Sequence, residues 1–183
     1  MNPHIISLLL CCNIITAAQK PGDNFAENGI YRSDTDFVHH KLILPFNKSN
    51  SHGTRFKSPL GHYNELWLKT KDSTYKFYND DIWGYRKRGE DFRIYENEIY
   101  KINYTGKIVI YTIYSTPGNG NGITSYFSKT LTSPAYYLSK KMLREVYHAD
   151  KRFLQKIDEM KWNSSIYKWN KGKGYYEFID WLE

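Results

Sequence analysis

The sequence predicts an α+β domain, an antiparallel β-meander sheet with helices gathered at its C-terminal end, and three observations carry that expectation. The run Lys107–Tyr114, Lys-Ile-Val-Ile-Tyr-Thr-Ile-Tyr, is nearly unbroken in β-branched and aromatic residues, as a strand buried on both faces requires. Shorter segments of the same chemistry lie between Glu65 and Ser128, separated by turn residues. After Pro134 the apolar period changes from two to about three and a half, the helical repeat.

Taken in order, the chain opens on an apolar run, Ile5 to Ile15, interrupted only by Ser7, Cys11, Cys12 and Asn13. It ends in Thr16-Ala17-Ala18 and turns polar at Gln19-Lys20-Pro21-Gly22. That is the layout of a secretory signal peptide: an apolar core too short to span a bilayer, then small residues for the peptidase. The expectation is a leader over 1–18 and a single α+β domain over 19–183, exported, with no transmembrane segment in the mature chain. Met1 to His4 lacks Lys and Arg, which leaves an apolar first strand or helix as the alternative. A second alternative is acylation at Cys11 or Cys12 after Leu8-Leu9-Leu10, which would anchor the exported protein to lipid. Both cysteines of the chain lie here, so the mature domain would hold no disulfide. That suits the periplasm, outer envelope or medium of a bacterium better than a small eukaryotic secreted domain.

Gln19 to Gly29 reads as a polar lead-in strap. Ser33 can cap a short helix over Asp34 to Lys41, with Asp34 and Asp36 at its positive dipole end. A strand is expected over Leu42 to Phe46, and a mobile loop over Asn47 to Pro59, which is rich in Ser, Asn, His, Gly and Lys and has no period. Strands are then expected at Leu66 to Leu68, Tyr75 to Tyr78, Ile82 to Lys87, Phe92 to Tyr95, Ile99 to Tyr104, Lys107 to Tyr114 and Ile123 to Ser128. Turn chemistry at Lys71-Asp72-Ser73, Asn79-Asp80-Asp81, Arg88-Gly89-Glu90, Glu96-Asn97 and Thr105-Gly106 separates them. Within Ile82 to Lys87, strict alternation sets Trp83, Tyr85 and Lys87 against Ile82, Gly84 and Arg86. The stretch Ser115 to Gly122 is a long Pro/Gly/Asn loop. Ser139 caps a helix carrying Met142, Leu143, Val146 and Tyr147, and Leu138 is placed to staple onto Leu143. Asp150 caps a second helix with Phe153, Leu154, Ile157 and Met160, and Tyr175 to Leu182, apolar all round, closes the core.

The charge of +7 is spread along the chain: 15 Lys/Arg face 12 Asp/Glu over residues 19–128, and 11 face 7 from Lys129 onward. An even excess argues against a dedicated nucleic-acid stripe and for weak attraction to anionic polymers or surfaces. Aromatics form 17% of the chain, too many for one small core, so some rings must reach the surface.

No motif of catalysis or cofactor binding is present. His39 and His40 are adjacent on a helix, about 100° apart, and no His stands four residues from another, so zinc has no local nucleus. His148 with Asp150 coincides with a helix cap. Ser125-Tyr126-Phe127-Ser128-Lys129 matches neither a nucleophile elbow nor a Ser-x-x-Lys arrangement, and Ser128 reads as a strand-end hydrogen bonder. Gly118-Asn119-Gly120-Asn121-Gly122 lacks the spacing of a phosphate loop. The carboxylate pairs Asp80-Asp81, Glu90-Asp91 and Glu96 with Glu98 fall at turns. No cofactor is expected. The basic hairpin differs. Arg86 and Arg93, placed across from each other near Trp83, Tyr85 and Tyr95, offer bidentate donors beside stacking rings, so these five form the candidate ligand site. The alternative is guanidinium groups resting on tyrosine faces as ordinary packing.

Asn28-Gly29-Ile30-Tyr31, Ser33 to Leu42, Trp83-Gly84-Tyr85-Arg86, Asp91-Phe92-Arg93-Ile94-Tyr95, Ile108 to Tyr111 and Ser125-Tyr126-Phe127-Ser128 resemble a group of small exported proteins of Bacteroidota of unknown function. The resemblance implies a bacterial envelope location and imports no activity. The leading expectation is an envelope binding or interaction domain that is not an enzyme. It would present an aromatic and basic sheet face to a glycan, an anionic polymer or a protein partner. A small envelope hydrolase acting on glycan or peptide, and a periplasmic immunity-type protein, are the alternatives.

Overall fold

The structure, a computed structural model, describes residues 28–46, 51–57, 65–70, 73–114, 122–161 and 163–182. The expected leader, Cys11 and Cys12, most of the strap and residues 115–121 of the glycine-rich loop lie outside them. In chain order the strands are β1 (Asn28–Tyr31), β2 (Ile43–Phe46), β3 (Ser51–Lys57), β4 (Glu65–Thr70), β5 (Thr74–Tyr78), β6 (Gly84–Lys87), β7 (Glu90–Tyr95), β8 (Glu98–Tyr104), β9 (Val109–Tyr114), β10 (Ile123–Ser128) and β11 (Tyr136–Tyr137). Helix α1 (Asp34–Val38) joins β1 to β2. Helices α2 (Lys140–Val146) and α3 (Lys151–Glu159) follow the sheet, and a two-residue pair, β12 (Trp169–Asn170) with β13 (Tyr175–Tyr176), leads into a 3₁₀ turn at Glu177–Trp181. The fold is α+β, an antiparallel sheet with most of its helix in the C-terminal half.

Eight strands form the main sheet in the order β11-β10-β9-β8-β7-β6-β1-β2. Its meander is built from local hairpins. At β6–β7 the turn residues Arg88 and Gly89 have φ of 55° and 78°, and at β7–β8 Glu96 and Asn97 have 49° and 62°. Two successive positive φ values give the primed two-residue turn, whose twist matches that of the flanking strands. The expected Lys107–Tyr114 strand begins at Val109, and its first four residues are buried.

Four expectations are corrected. The meander is not continuous from Glu65, because a 3₁₀ turn at Asn79–Asp81 separates β4 and β5 from the main sheet; they pair with β3 in a three-stranded sheet of their own. The segment expected as a loop over Asn47 to Pro59 contains β3, which pairs along β4 from Lys57 opposite Glu65 to Ser51 opposite Thr70. The end of the expected strap is β1, which pairs with β6 on one side and β2 on the other. Helix α1 also stops at Val38 rather than Lys41, with Ser33 capping the N–H of Asp36 as expected.

The two faces of the main sheet differ. On one, Ile30, Tyr85, Phe92, Ile94 and Ile99 pack with Leu66 and Phe77 of the small sheet. At the other end of that face, Ile108, Ile110 and Phe127 pack under Leu143, Phe153, Ile157, Phe178, Ile179 and Leu182. The helix starts are as expected: Ser139 and Asp150 accept from the N–H groups of Met142 and Phe153, and Leu138 and Leu143 are both fully buried in this cluster. The opposite face, called here the tyrosine face, carries Tyr95, Tyr100, Ile102, Tyr111, Ile113 and Tyr126, with Leu131 and Ala135 from the β10–β11 connection.

Candidate functional site

Strand pairing decides where the five expected ligand residues go. In the β6–β7 hairpin Gly84 faces Arg93, Tyr85 faces Phe92 and Arg86 faces Asp91. Arg86 and Arg93 therefore share a face as diagonal neighbours, not as the direct pair expected. Tyr85 has the other parity and stacks on Phe92, ring centroids 4.8 Å apart, inside the covered face. Trp83 does not stay with Tyr85. The alternation breaks before Gly84, so that Ile82 joins Tyr85 in the covered cluster and Trp83 packs against Phe37 at 4.9 Å and Tyr31 at 6.5 Å. Its indole N–H donates to the Leu131 carbonyl at 3.2 Å. The structure thus brings Trp83, Arg86, Arg93 and Tyr95 to the tyrosine face and sends Tyr85 to the other. Gly84 makes the close crossing: a Cβ there would lie 2.1 Å from the Phe92 carbonyl oxygen.

Both arginines are held by their own face. Arg86 Nη1 donates to Asp91 Oδ2 at 2.6 Å, and Tyr31 Oη donates to Asp91 Oδ1 at 2.9 Å. Burial and the Asp91 carboxylate together push the Tyr31 hydroxyl well above the usual phenol range. Arg93 is only 3% exposed. Its Nη1 donates to Tyr111 Oη at 2.9 Å, and its guanidinium lies 4.7 Å over the Tyr95 ring and 5.8 Å from that of Tyr111. Ser128 Oγ donates to the Thr130 carbonyl at 2.6 Å, so Tyr111 Oη must donate across the 2.8 Å to Ser128. The result is a one-way chain in which Arg93, Tyr111 and Ser128 donate in turn and the Thr130 carbonyl accepts last. No carboxylate lies within ion-pair distance of Arg93 among the described residues. The electron-rich ring faces of Tyr95 and Tyr111 and the phenol oxygen take that part, because an unpartnered buried charge costs several kcal/mol.

With Tyr95 and Tyr111 held by Arg93, the tyrosines form a ladder across the strands. Ring centroids are 6.5 Å apart from Tyr95 to Tyr100, 5.2 Å from Tyr100 to Tyr126 and 6.0 Å from Tyr126 to Tyr137, with Tyr111 5.6 Å from Tyr100. Tyr126 faces Tyr111 on β9 and Tyr137 on β11, so register alone puts these three in one row. Tyr100 is buried at the base, Tyr95 and Tyr126 are half-buried, and Tyr137 is 52% exposed. Burial pushes the Tyr100 hydroxyl up to about 12 and that of Tyr126 upward, while a hydrogen bond with the Glu96 carboxylate leads the rise at Tyr95. At neutral pH this face therefore offers neutral phenols, each an apolar ring with a hydroxyl that both donates and accepts.

Sequence reasoning missed Tyr100, Tyr126 and Tyr137. The signal was parity: in Ser125-Tyr126-Phe127-Ser128 the neighbouring rings point to opposite faces, phenylalanine under the helices and tyrosine away from them.

The other candidates have local duties. Asp81 accepts from the Tyr78 N–H at 3.2 Å, Glu90 pairs with Lys101 at 2.5 Å, and Ser125 Oγ lies 3.2 Å from Tyr176 Oη. His39 Nδ1 lies 2.9 Å from the Thr35 carbonyl and His148 Nδ1 3.0 Å from that of Glu145. Among the described residues no group of three His, Cys, Asp or Glu side chains could hold a metal ion, and no helix is long and apolar enough to cross a membrane. Compared with known proteins, the chain matches no protein-family model, no curated protein and no solved structure.

Proposed function

We propose that this chain is an exported binding domain of the bacterial envelope that takes a glycan chain on the tyrosine face of its main sheet. The observation that carries the reading is the ladder Tyr95–Tyr100–Tyr126–Tyr137, which crosses from β7 to β11 and, from buried Tyr100 onward, becomes more exposed toward Tyr137. A sugar ring offers a C–H face and a rim of hydroxyls, and a neutral phenol complements both at once. The buried Arg93 serves this face as an anchor, holding Tyr95 and Tyr111, which makes the platform rigid before a ligand arrives. Export rests on the pattern of residues 5–18.

The test is binding of residues 19–183 to a panel of neutral β-linked oligosaccharides, compared with the double variant Tyr126→Ala/Tyr137→Ala. The reading predicts a ligand that raises the melting temperature of the native chain and fails to raise that of the variant. Silence across the panel, with a stoichiometric complex recovered from envelope extract, would replace the glycan by a protein partner.

A further inference from the structure

The run of rings does not end at Tyr137. Beside it, Tyr167 Oη donates to the Leu138 carbonyl at 2.5 Å and stands within hydrogen-bond reach of the Tyr137 hydroxyl. Tyr167 in turn meets Tyr176, ring centroids 6.2 Å apart, and Tyr176 meets Trp169 at 5.1 Å, each pair edge to face. Strand β11 is an edge of the main sheet, so these rings carry the ladder beyond that edge. Three of them open to solvent: Tyr137 is 52%, Tyr167 38% and Trp169 44% exposed. Single exposed rings are ordinary, but a continuous strip of them marks a surface that meets a partner.

Trp169 is also held in place. It opens the β12–β13 hairpin, where it faces Tyr176 and Asn170 faces Tyr175. Asn170 closes the turn: its Oδ1 accepts from the N–H groups of Gly172 and Lys173 at 3.0 Å and 3.1 Å, and its carbonyl accepts from the N–H of Gly174 at 2.8 Å. Gly174 supplies the φ of 74° that this turn needs. Tyr176 Oη lies 3.2 Å from Ser125 Oγ, which ties the hairpin to β10. The charges around it largely cancel, since Lys168 pairs with Glu177 at 2.9 Å and Lys173 with Asp180 at 2.8 Å. The strip therefore offers ring area and hydroxyls far more than charge.

We infer that the glycan is a neutral polymer of several sugar units, whose chain runs past Tyr137 over Tyr167 to a further subsite where the Trp169 ring stacks on a sugar face. The inference rests on the glycan reading of the tyrosine face and extends it from a kind of ligand to its length. A rigid aromatic ring presented to water takes up a sugar's C–H face at little cost in ordering, and each further ring adds contact only for a chain long enough to reach it.

The experiment is calorimetric titration of the 19–183 chain with cello-oligosaccharides and chito-oligosaccharides, each from the disaccharide to the hexasaccharide. In the series that binds, affinity should climb with length, and Trp169→Ala should weaken the hexasaccharide by about tenfold while leaving the disaccharide unchanged. Trp169→Phe keeps a ring against Tyr176 and should retain most of the hexasaccharide's affinity, which separates a lost subsite from a disturbed hairpin. Tyr126→Ala/Tyr137→Ala should lose both lengths. Binding that needs Tyr126 and Tyr137 but is flat with length, or a Trp169→Ala loss equal at both lengths, overturns the extension and leaves the tyrosine platform standing. No binding by any member of either series overturns the platform and the extension together.

Discussion

The two faces of the eight-stranded sheet hold comparable numbers of large side chains and use them in opposite ways. The covered face is aliphatic and phenylalanine-rich where it is driest: Ile108, Ile110, Leu138, Leu143, Phe127, Phe153 and Phe178 carry no polar atom on their side chains. The other face is built from Tyr31, Tyr95, Tyr100, Tyr111 and Tyr126, and the hydroxyls of Tyr31 and Tyr111 are tied to Asp91, Arg93 and Ser128. A face of Leu, Ile and Phe has to be layered over, and the C-terminal helices do so. A face of tyrosines can stop at water, because each ring carries its own polar end. Along β10 the choice between Phe127 and Tyr126 follows this division, the phenylalanine lying under the helices and the tyrosine on the other face.

That contrast can be broken in order of decreasing effect. Phe127→Ala removes a fully buried ring from under the helices and should cost about 3–5 kcal/mol in denaturant unfolding. Alkaline pH should act next, on both faces together. Burial pushes Tyr100 on the tyrosine face and Tyr147 under the helices up to about 12, against about 10 in an unfolded chain. Their folded pKa values are raised, so the stability they contribute is whole below about pH 10 and is lost as pH climbs through about 12. Phenolate absorbance followed with circular dichroism should show these groups ionising together with unfolding. Tyr111→Phe should cost about 1–3 kcal/mol, more than its lost hydroxyl alone, because Arg93 and Ser128 both lose a partner in a buried place. Ser139→Ala removes the α2 cap and should cost about 1 kcal/mol. Tyr137→Ala, at an exposed ring, should move stability by no more than about 0.5 kcal/mol while weakening glycan binding.

Much of this arrangement was legible in the sequence. The caps Ser33, Ser139 and Asp150 were, because a capping side chain needs only its own next turn. So were the hairpins at Arg88-Gly89 and Glu96-Asn97, because turn chemistry is local. Strand β1 was not: its four residues, Asn-Gly-Ile-Tyr, have no period to read, and it forms by pairing with β2 on one side and with β6, more than fifty residues on, on the other. Strand β3, Ser-His-Gly-Thr-Arg-Phe-Lys, hides in a polar stretch for the same reason. The candidate site failed at one residue for a backbone cause. Alternation was read straight through Ile82-Trp83-Gly84, whereas the backbone breaks step there, which moved Trp83 onto the tyrosine face and left Tyr85 on the covered one. Arg93 was found by its neighbours in sequence, but its burial depends on Tyr111 and Ser128, which only the folded sheet brings near.

The most direct test of the tyrosine face is hydroxyl-radical footprinting of the native chain, free and saturated with the oligosaccharide that binds it. The account predicts protection at Tyr95, Tyr126 and Tyr137 and no change at Phe127, Phe153 or Phe178. Protection that spares those three tyrosines and falls elsewhere would contradict it.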